Sequence, residues 1–272
     1  MRSATTLSGP RRRASLLSPN HRFGWRGVVL PVLVLVLAQI LTGADGFRSD
    51  SIASPTRIAA AFGRAVLDGS LLSLTGQTMA AVLAGLVLGA SAGLLLGILL
   101  GLSRILDNLL NVTIESIRPI PSAAFIPLVL LVFGFGFTME IAVVAVGALF
   151  PMLIYARSAV AGTEPRLLEL SRALGLGFAD RVLKIVLPAA LPRIFVGFRL
   201  SAALALVIGI TVEISVNPIG LGSGIMVAEQ TLQPDMVFAL LIWVGFVGWG
   251  MNAGMLWIQH QVFAPEPGSA KP

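Results

Sequence analysis

Groups able to do chemistry are sparse in this sequence, and those present do not converge. Its only two histidines, His21 and His260, sit one in each end region, so neither a histidine-based triad nor a histidine metal site has support. The absence of cysteine excludes thiolate chemistry, disulfides and cysteine-ligated metals. Ser223 in "GLGSGIM" is a near miss for a Gly-x-Ser-x-Gly nucleophile turn: Gly222 is adjacent to the serine and no base accompanies it. These glycines read better as the turn of a tight or re-entrant external loop. Neither Lys184 nor Lys271 follows a glycine-rich loop, so no backbone nest is available for nucleotide phosphates. If ATP drives this protein, another chain must bind it.

Four charged residues lie in or beside apolar runs: Glu115, Arg118, Arg199 and Glu213. Charge in lipid is costly and by default points to function, which makes the four candidates for a translocation path or a gate. All four sit near the ends of apolar runs, where side chains can reach the interface. A midplane proton or sodium relay is therefore not evident. Arg118 and Arg199 fit an anion-attracting role or an anchoring role at the inner boundary. Glu213 fits helix-end solvation as well as a packing or pathway role.

A different kind of pattern occupies residues 169–192, "ELSRALGLGFADRVLKIVLPAALP". Leu167, Leu168, Leu170, Ala173 and Leu174 give a helix one apolar side, while Arg166, Glu169 and Arg172 decorate the rest. Gly175 and Gly177 then end or sharply bend it. A second amphipathic piece runs through Phe178, Val182, Ile185 and Val186 to Pro188 and Pro192. Two short helices at an angle form a protrusion suited to a groove on a partner. An ordinary interfacial hairpin has the same pattern, and the residues alone do not separate the two.

The elements that carry these residues are set by an apolar composition. The 272 residues are 56% hydrophobic and 12% charged, against roughly 25% charged in soluble domains. Mean hydropathy is +0.90. With 29 glycines and 16 prolines, the chain is expected to be an all-α polytopic membrane protein of about six transmembrane helices. The net charge of +6 does not point to nucleic acid, because the basic residues cluster beside apolar spans.

Residues 1–26, with six arginines and no acid, predict a disordered cytoplasmic tail. Residues 27–43 are a first transmembrane helix or a long signal peptide, the small residues Thr42 and Ala44 being of cleavage-site type. Residues 44–72 form an external linker. Within it Ser54-Pro55 starts a short amphipathic helix carrying Ile58, Phe62 and Val66. The membrane domain spans 73–260, with a cytoplasmic loop at 158–192, and 261–272 is a disordered tail.

Inside that domain Gly85, Gly89, Gly93, Gly97 and Gly101 recur at spacing four, a smooth stripe for close packing of a second helix. Arg104 and Asp107 mark an inner turn. Pro119, Pro121 and Pro127 oppose a regular helix start and predict a kinked or broken span. "GFGFTME" reads as a tight external turn, and Pro151 as a kink. Residues 216–235 read as an external loop. Seven basic residues lie between 157 and 199 and none between 216 and 235, which places the first segment inside the cell and the second outside.

With that topology, Glu169, Gly175, Ile185, Leu187 and Pro188 resemble the EAA loop of ABC-importer permeases: Glu-Ala-Ala, three residues, Gly, nine residues, Ile-x-Leu-Pro. Leu170 and Ser171 stand where that motif has its two alanines, a departure that bears on how closely the first helix packs. "GLSRILDNLL", "IRPIPSAAFIPLVLLVFGFG", "VLPAALPRIFVGFRL" and "TVEI" extend the resemblance over roughly 70–260, toward permeases of the nitrate/sulfonate/taurine-type importers.

The resemblance implies a type I importer (MetI-like) fold and a bacterial inner-membrane permease without enzymatic activity. It also implies a permease dimer, two cytoplasmic ABC ATPase subunits holding the ATP and magnesium, and an external substrate-binding protein. Glu169, Ser171, Gly175, Ile185, Leu187 and Pro188 would form the ATPase-coupling loop, and the solute would be a sulfonate, nitrate or similar small anion. A secondary transporter would instead show inverted repeats with broken helices around a charged midplane site. A non-transporting scaffold would bind no ATPase.

Overall fold

In a computed structural model, residues 26–43 and 53–263 are described. The expectations for the N-terminal tail, for His21, for the first part of the external linker and for residues beyond 263 lie outside them. The chain divides into two units, Met1–Phe47 and Arg48–Pro272. The first contributes one described helix, α1 (Arg26–Gly43), whose apolar part Val32–Thr42 is shorter than a full membrane span.

The described part of the second unit is all helical. It begins with α2 (Pro55–Leu67), α3 (Ser70–Leu102), α4 (Arg104–Ile117), α5 (Ile126–Phe133) and α6 (Phe137–Ala161). It continues with α7 (Pro165–Ala173), α8 (Phe178–Arg181), α9 (Leu187–Ser215), α10 (Gly220–Gln230) and α11 (Pro234–Phe263). Among the described residues, four stretches are long and apolar enough to cross a membrane: Ser70–Leu102, Phe137–Ala161, Phe178–Gln230 and Pro234–Phe263. A fifth is counted if Arg104–Ile117 and Ser122–Phe133, bent by 85°, make one broken span. Pro119 and Pro121 cause that break: neither can donate a helical hydrogen bond, and only a short 3-10 turn at Ser122–Phe125 forms before α5.

The core is the α3–α6–α9 triple, in which Val82, Leu86, Val144, Ala148, Ala205 and Leu206 are buried. In lipid, helices gain little from apolar burial against one another, so contact distance decides the association. α3 achieves close contact with its glycine stripe. A Cβ placed at Gly85 would lie 2.7 Å from Val144 Cβ, and one at Gly97 would lie 2.6 Å from the Leu153 carbonyl oxygen. At Gly89 and Gly93 it would run into the backbone carbonyls of Ala145 and Leu149. At Gly101 it would lie 2.7 Å from Val160 Cβ. The backbone of α6 therefore rests on the α3 groove along its length.

Two elements differ from the sequence expectations. The supposed inner turn at Arg104–Asp107 opens the 14-residue helix α4, because Ser103 caps it by accepting from the Leu106 N–H and Asp107 suits its first turn. The supposed loop at 216–235 contains α10, since its glycines enter a helix packed on α3, α9 and α11.

The amphipathic helix α2 starts at Pro55, with Ser54 Oγ accepting from the Arg57 N–H. It lies on α11: Phe62 and Trp243 ring centroids are 5.8 Å apart, and Arg64 pairs with Asp235 at 3.4 Å. Between α2 and α3, hydrogen bonds from the Ser70 hydroxyl and backbone N–H hold the Asp68 carboxyl below its ordinary range.

α4 buries no residue, so its attachment depends on a two-point ion pair. Arg157 Nη2 donates to Asp107 Oδ2 at 2.9 Å and Nε faces Oδ1 at 2.5 Å, with both side chains about three-quarters covered. Such forked pairs are stronger than single surface bridges. Asp107→Ala is expected to lower stability by about 1–2 kcal/mol. Differential scanning of the detergent-solubilised protein checks it, and an unchanged unfolding temperature would show that α4 is held by something else.

Candidate functional site

The segment between α6 and α9 is the most distinctive surface of the second unit. Pro165 opens α7, and the helix ends where Gly175 adopts φ +64, the left-handed conformation of a C-terminal cap. The Gly175 N–H donates to the Arg172 carbonyl and the Leu176 N–H to the Ser171 carbonyl, both at 3.0 Å. Ser171 is buried with its hydroxyl donating to the Leu168 carbonyl at 2.6 Å, so this position has room only for a small residue. Its neighbour Leu170 points outward, where size is unconstrained.

Glu169 is exposed on the same helix, and Ile185 and Leu187 are half-buried where the segment rejoins the bundle. From α8 the helix widens into a π turn at Val182–Val186, closed by the Leu187 N–H donating to the Val182 carbonyl. Pro188 explains the widening: its ring would otherwise crowd the Lys184 carbonyl four residues back. The result is a bent helix pair that exposes Leu170, Leu174, Phe178 and Leu183, at 52%, 63%, 67% and 64% respectively. Lys184 and Asp180 pair at 2.7 Å on its surface.

The four charged candidates do not assemble into one site. Arg118 lines a cavity of about 360 Å³ between α6, α9 and the broken segment before α5, together with Ser122, Phe125, Phe150, Tyr155 and Leu204. Arg199 lines a separate cavity of about 210 Å³ against α11, beside Asn252, Met251 and Met255. Glu115 is exposed on α4.

Glu213 is buried at the end of the bundle opposite the α7–α8 pair, and there it meets a residue that sequence reasoning missed, Glu140. The sequence pattern "GFGFTME" suggests an external turn, but Glu140 lies in the first turn of α6 and is fully buried.

A polar network surrounds the two acids. Asn217 Nδ2 donates to Glu140 Oε2 at 2.8 Å, and its Oδ1 accepts from the Gly136 N–H at 2.9 Å. The Gly222 N–H donates to Glu213 Oε2 at 2.8 Å. From α3, Thr78 Oγ1 accepts from the Leu221 N–H at 2.8 Å and Gln77 Oε1 from the Gly220 N–H at 2.9 Å. Gly220 has φ +83, and a Cβ there would overlap the Glu213 carboxyl. The signal for this cluster was Asn217-Pro218 four residues after Glu213, a buried-turn pattern with polar groups to satisfy.

The second unit is thus a helical membrane bundle packed through a glycine groove, with an exposed bent helix pair at one end. The chain belongs to the family of binding-protein-dependent transport system inner membrane components, whose sequence profile matches residues 93–263. It is a permease subunit of an ABC importer and not an enzyme; ATP hydrolysis resides on a separate subunit.

Among its relatives is the permease protein SsuC of Bacillus subtilis (strain 168), named for aliphatic sulfonates transport, 32% identical over 84% of this chain and 83% of that one. SsuC of Escherichia coli (strain K12), also named for aliphatic sulfonates, is 36% identical over 80% of this chain and 83% of that one. A crystal structure of an amino acid ABC transporter with histidines superposes with a TM-score of 0.60, covering 74% of this chain and 96% of that one at 18% identity. That likeness shows the fold, the type I importer permease.

Proposed function

We propose that this permease passes a small anion, of the sulfonate or nitrate kind, across a bacterial inner membrane after delivery by an external binding protein. In this reading two permease copies pair, and two cytoplasmic ATPase subunits, which bind ATP and magnesium, dock on the α7–α8 pair. The observation that carries the docking is the row of apolar side chains left exposed there, Leu170, Leu174, Phe178 and Leu183. A charged, proline-bounded segment that leaves four large apolar groups uncovered is suited to a partner's groove. The excess of basic residues between 157 and 199 supports a cytoplasmic position for this pair, and the six arginines before residue 27 support a cytoplasmic N-terminus.

The mechanism is mechanical. Closure of the ATPase dimer moves α7 and α8 as a rigid unit, and the continuous helix from α8 into α9 carries that movement into the bundle. Glu169 contacts the ATPase or fixes the loop, Gly175 sets the bend, and Ile185, Leu187 and Pro188 join the pair to the core. The loop must bind differently in the two ATPase states, because equal binding in both would shift nothing. Arg118 supports the anion reading, being the charged residue of an otherwise mostly apolar cavity. Two relatives named for sulfonates add to it.

Docking is tested with the full-length permease in nanodiscs and a purified ATPase subunit of this importer class. Leu174→Asp with Phe178→Asp is expected to weaken the complex by about 30-fold or more, the size of an interface hot-spot loss. Wild-type affinity in that variant would overturn the assignment. The ligand bound by the cognate external protein decides the anion.

A further inference from the structure

The cavity beside Arg118 has a shape and a lining that say more about its cargo than charge alone. It follows α6 from Val146 to Tyr155, nine residues or about 14 Å of helix, and α9 from Leu200 to Ile208, eight residues or about 12 Å. The two helices run in opposite directions, since Asn217, just beyond α9, donates to Glu140 in the first turn of α6. Tyr155 and Leu200 therefore share one end of an elongated slot, and Gly147 and Ile208 share the other. Glycines fix the walls at both ends. A Cβ at Gly197 would run into Tyr155, and one at Gly147 would run into Ile208 Cδ1 and lie 3.4 Å from Ser122 Oγ.

The lining is mostly apolar. Among the described residues, Arg118, Ser122 and Tyr155 are the only polar side chains that line the slot, and Arg118 is the only charged one. The Arg118 guanidinium is exposed and makes neither a hydrogen bond nor an ion pair with any described residue; the ion pairs engage Arg64, Arg157 and Lys184. Even Glu115, one turn earlier on α4, does not pair with it. A guanidinium presents a planar fork of donors that fits an oxyanion at two points. A compact anion such as nitrate needs donors all round to replace its water, and beyond Arg118 the slot supplies only two hydroxyls, toward opposite ends. At about 360 Å³ the space equals that of roughly a dozen waters at ~30 Å³ each, so such an ion would leave most of it unfilled.

We propose, building on the anion reading above, that this slot is a binding site within the permease for an organic anion with an apolar body. Arg118 takes the oxyanion, and Phe125, Phe150, Leu204 and Ile208 take an aliphatic chain laid along the α6–α9 seam. Burial of the chain supplies affinity that one exposed cation does not, and the cation separates the ligand from neutral chains of the same length. Selectivity is then divided between the external protein and the membrane domain, and nitrate is held poorly by the second. An anionic lipid has the same two parts, a charged head and an aliphatic chain, so the soluble anion and the lipid must be told apart by experiment.

Titration calorimetry of the full-length permease in nanodiscs of zwitterionic lipid, with empty nanodiscs as the blank, tests this. Pentanesulfonate is expected to bind saturably, and affinity should rise roughly fourfold per methylene from ethanesulfonate to pentanesulfonate. Nitrate and pentanol should each bind at least about 10-fold more weakly than pentanesulfonate. Arg118→Gln should lower pentanesulfonate affinity by about 10-fold or more, and Leu204→Trp should block the slot. Arg57→Gln on α2 removes the same charge elsewhere and should change nothing. Nitrate binding as tightly as pentanesulfonate, or no saturable sulfonate binding, overturns the site and leaves anion transport standing. An anionic phospholipid that co-purifies with wild type but not with Arg118→Gln, detected by native mass spectrometry, overturns it in favour of a lipid site. An external protein that binds a neutral solute overturns the anion reading itself, whatever the slot holds. The wild-type series decides the matter even if a variant fails to insert.

Discussion

Gly89→Val is expected to abolish the folded permease. A Cβ at this position runs into the Ala145 backbone carbonyl and carbon, with the Ala145 Cα only 2.9 Å away. Overpacking against movable side chains costs about 1–3 kcal/mol. Here the obstacle is main chain in the middle of α6, so the cost exceeds that range unless the two helices part. Parting would strip the contact that organises the α3–α6–α9 core. The measurable outcome is loss of the monodisperse peak on size exclusion after extraction, with Gly63→Val as the control, since nothing lies within 4 Å of a Cβ there. A well-behaved Gly89→Val protein would show that the groove is wider in the membrane than described above.

Gly175→Val is expected to leave the membrane domain folded and to uncouple it. No atom lies within 4 Å of a Cβ at this position, so the substitution acts through the backbone alone. The φ of +64 costs a β-branched residue about 1–2 kcal/mol, enough to change the population of the bent conformation by roughly 5- to 30-fold. In proteoliposomes containing the assembled importer, ATPase activity should persist while transport per ATP falls by about that factor. The thermal midpoint should stay near wild type, since strain confined to an exposed loop relaxes locally. Wild-type coupling in this variant would remove Gly175 from the proposed mechanism, whereas loss of the folded protein would make its role structural.

The contrast between these glycines shows what the sequence made legible. Spacing four on an apolar helix announces a packing groove without long-range information, because the groove belongs to one element. The broken span was equally local, since three prolines within nine residues leave a helix few options. The all-α membrane class followed from composition. Much of what escaped notice depended on partners distant in the chain. Glu140 looks solvent-facing after "GFGFT", and only Asn217, 77 residues later, and Glu213 reveal that it is enclosed. α10 was hidden because "GLGSG" has poor intrinsic helix propensity; contacts with α3, α9 and α11 stabilise it. α4 was overlooked because an Arg-x-x-Asp pair at a membrane boundary looks like a turn until Ser103 is recognised as a cap.

The π turn at Val182–Val186 has a consequence for the angular phase of the helix. A bond closing over five residues instead of four inserts one residue into the spiral, and one residue of an α-helix corresponds to about 100° of rotation. Phe178 before the turn and Leu183 at its start point outward; from Val186 at its end, Ala190, Ile194 and Gly197 continue the inward row. The same continuous helix thus presents two differently aimed apolar stripes, one toward the bundle and one away from it. A regular helix would have to turn its outward stripe along the surface or lose its inward one. The extra residue works as a phase shifter, and a twist applied at α8 reaches α9 already redirected toward the core.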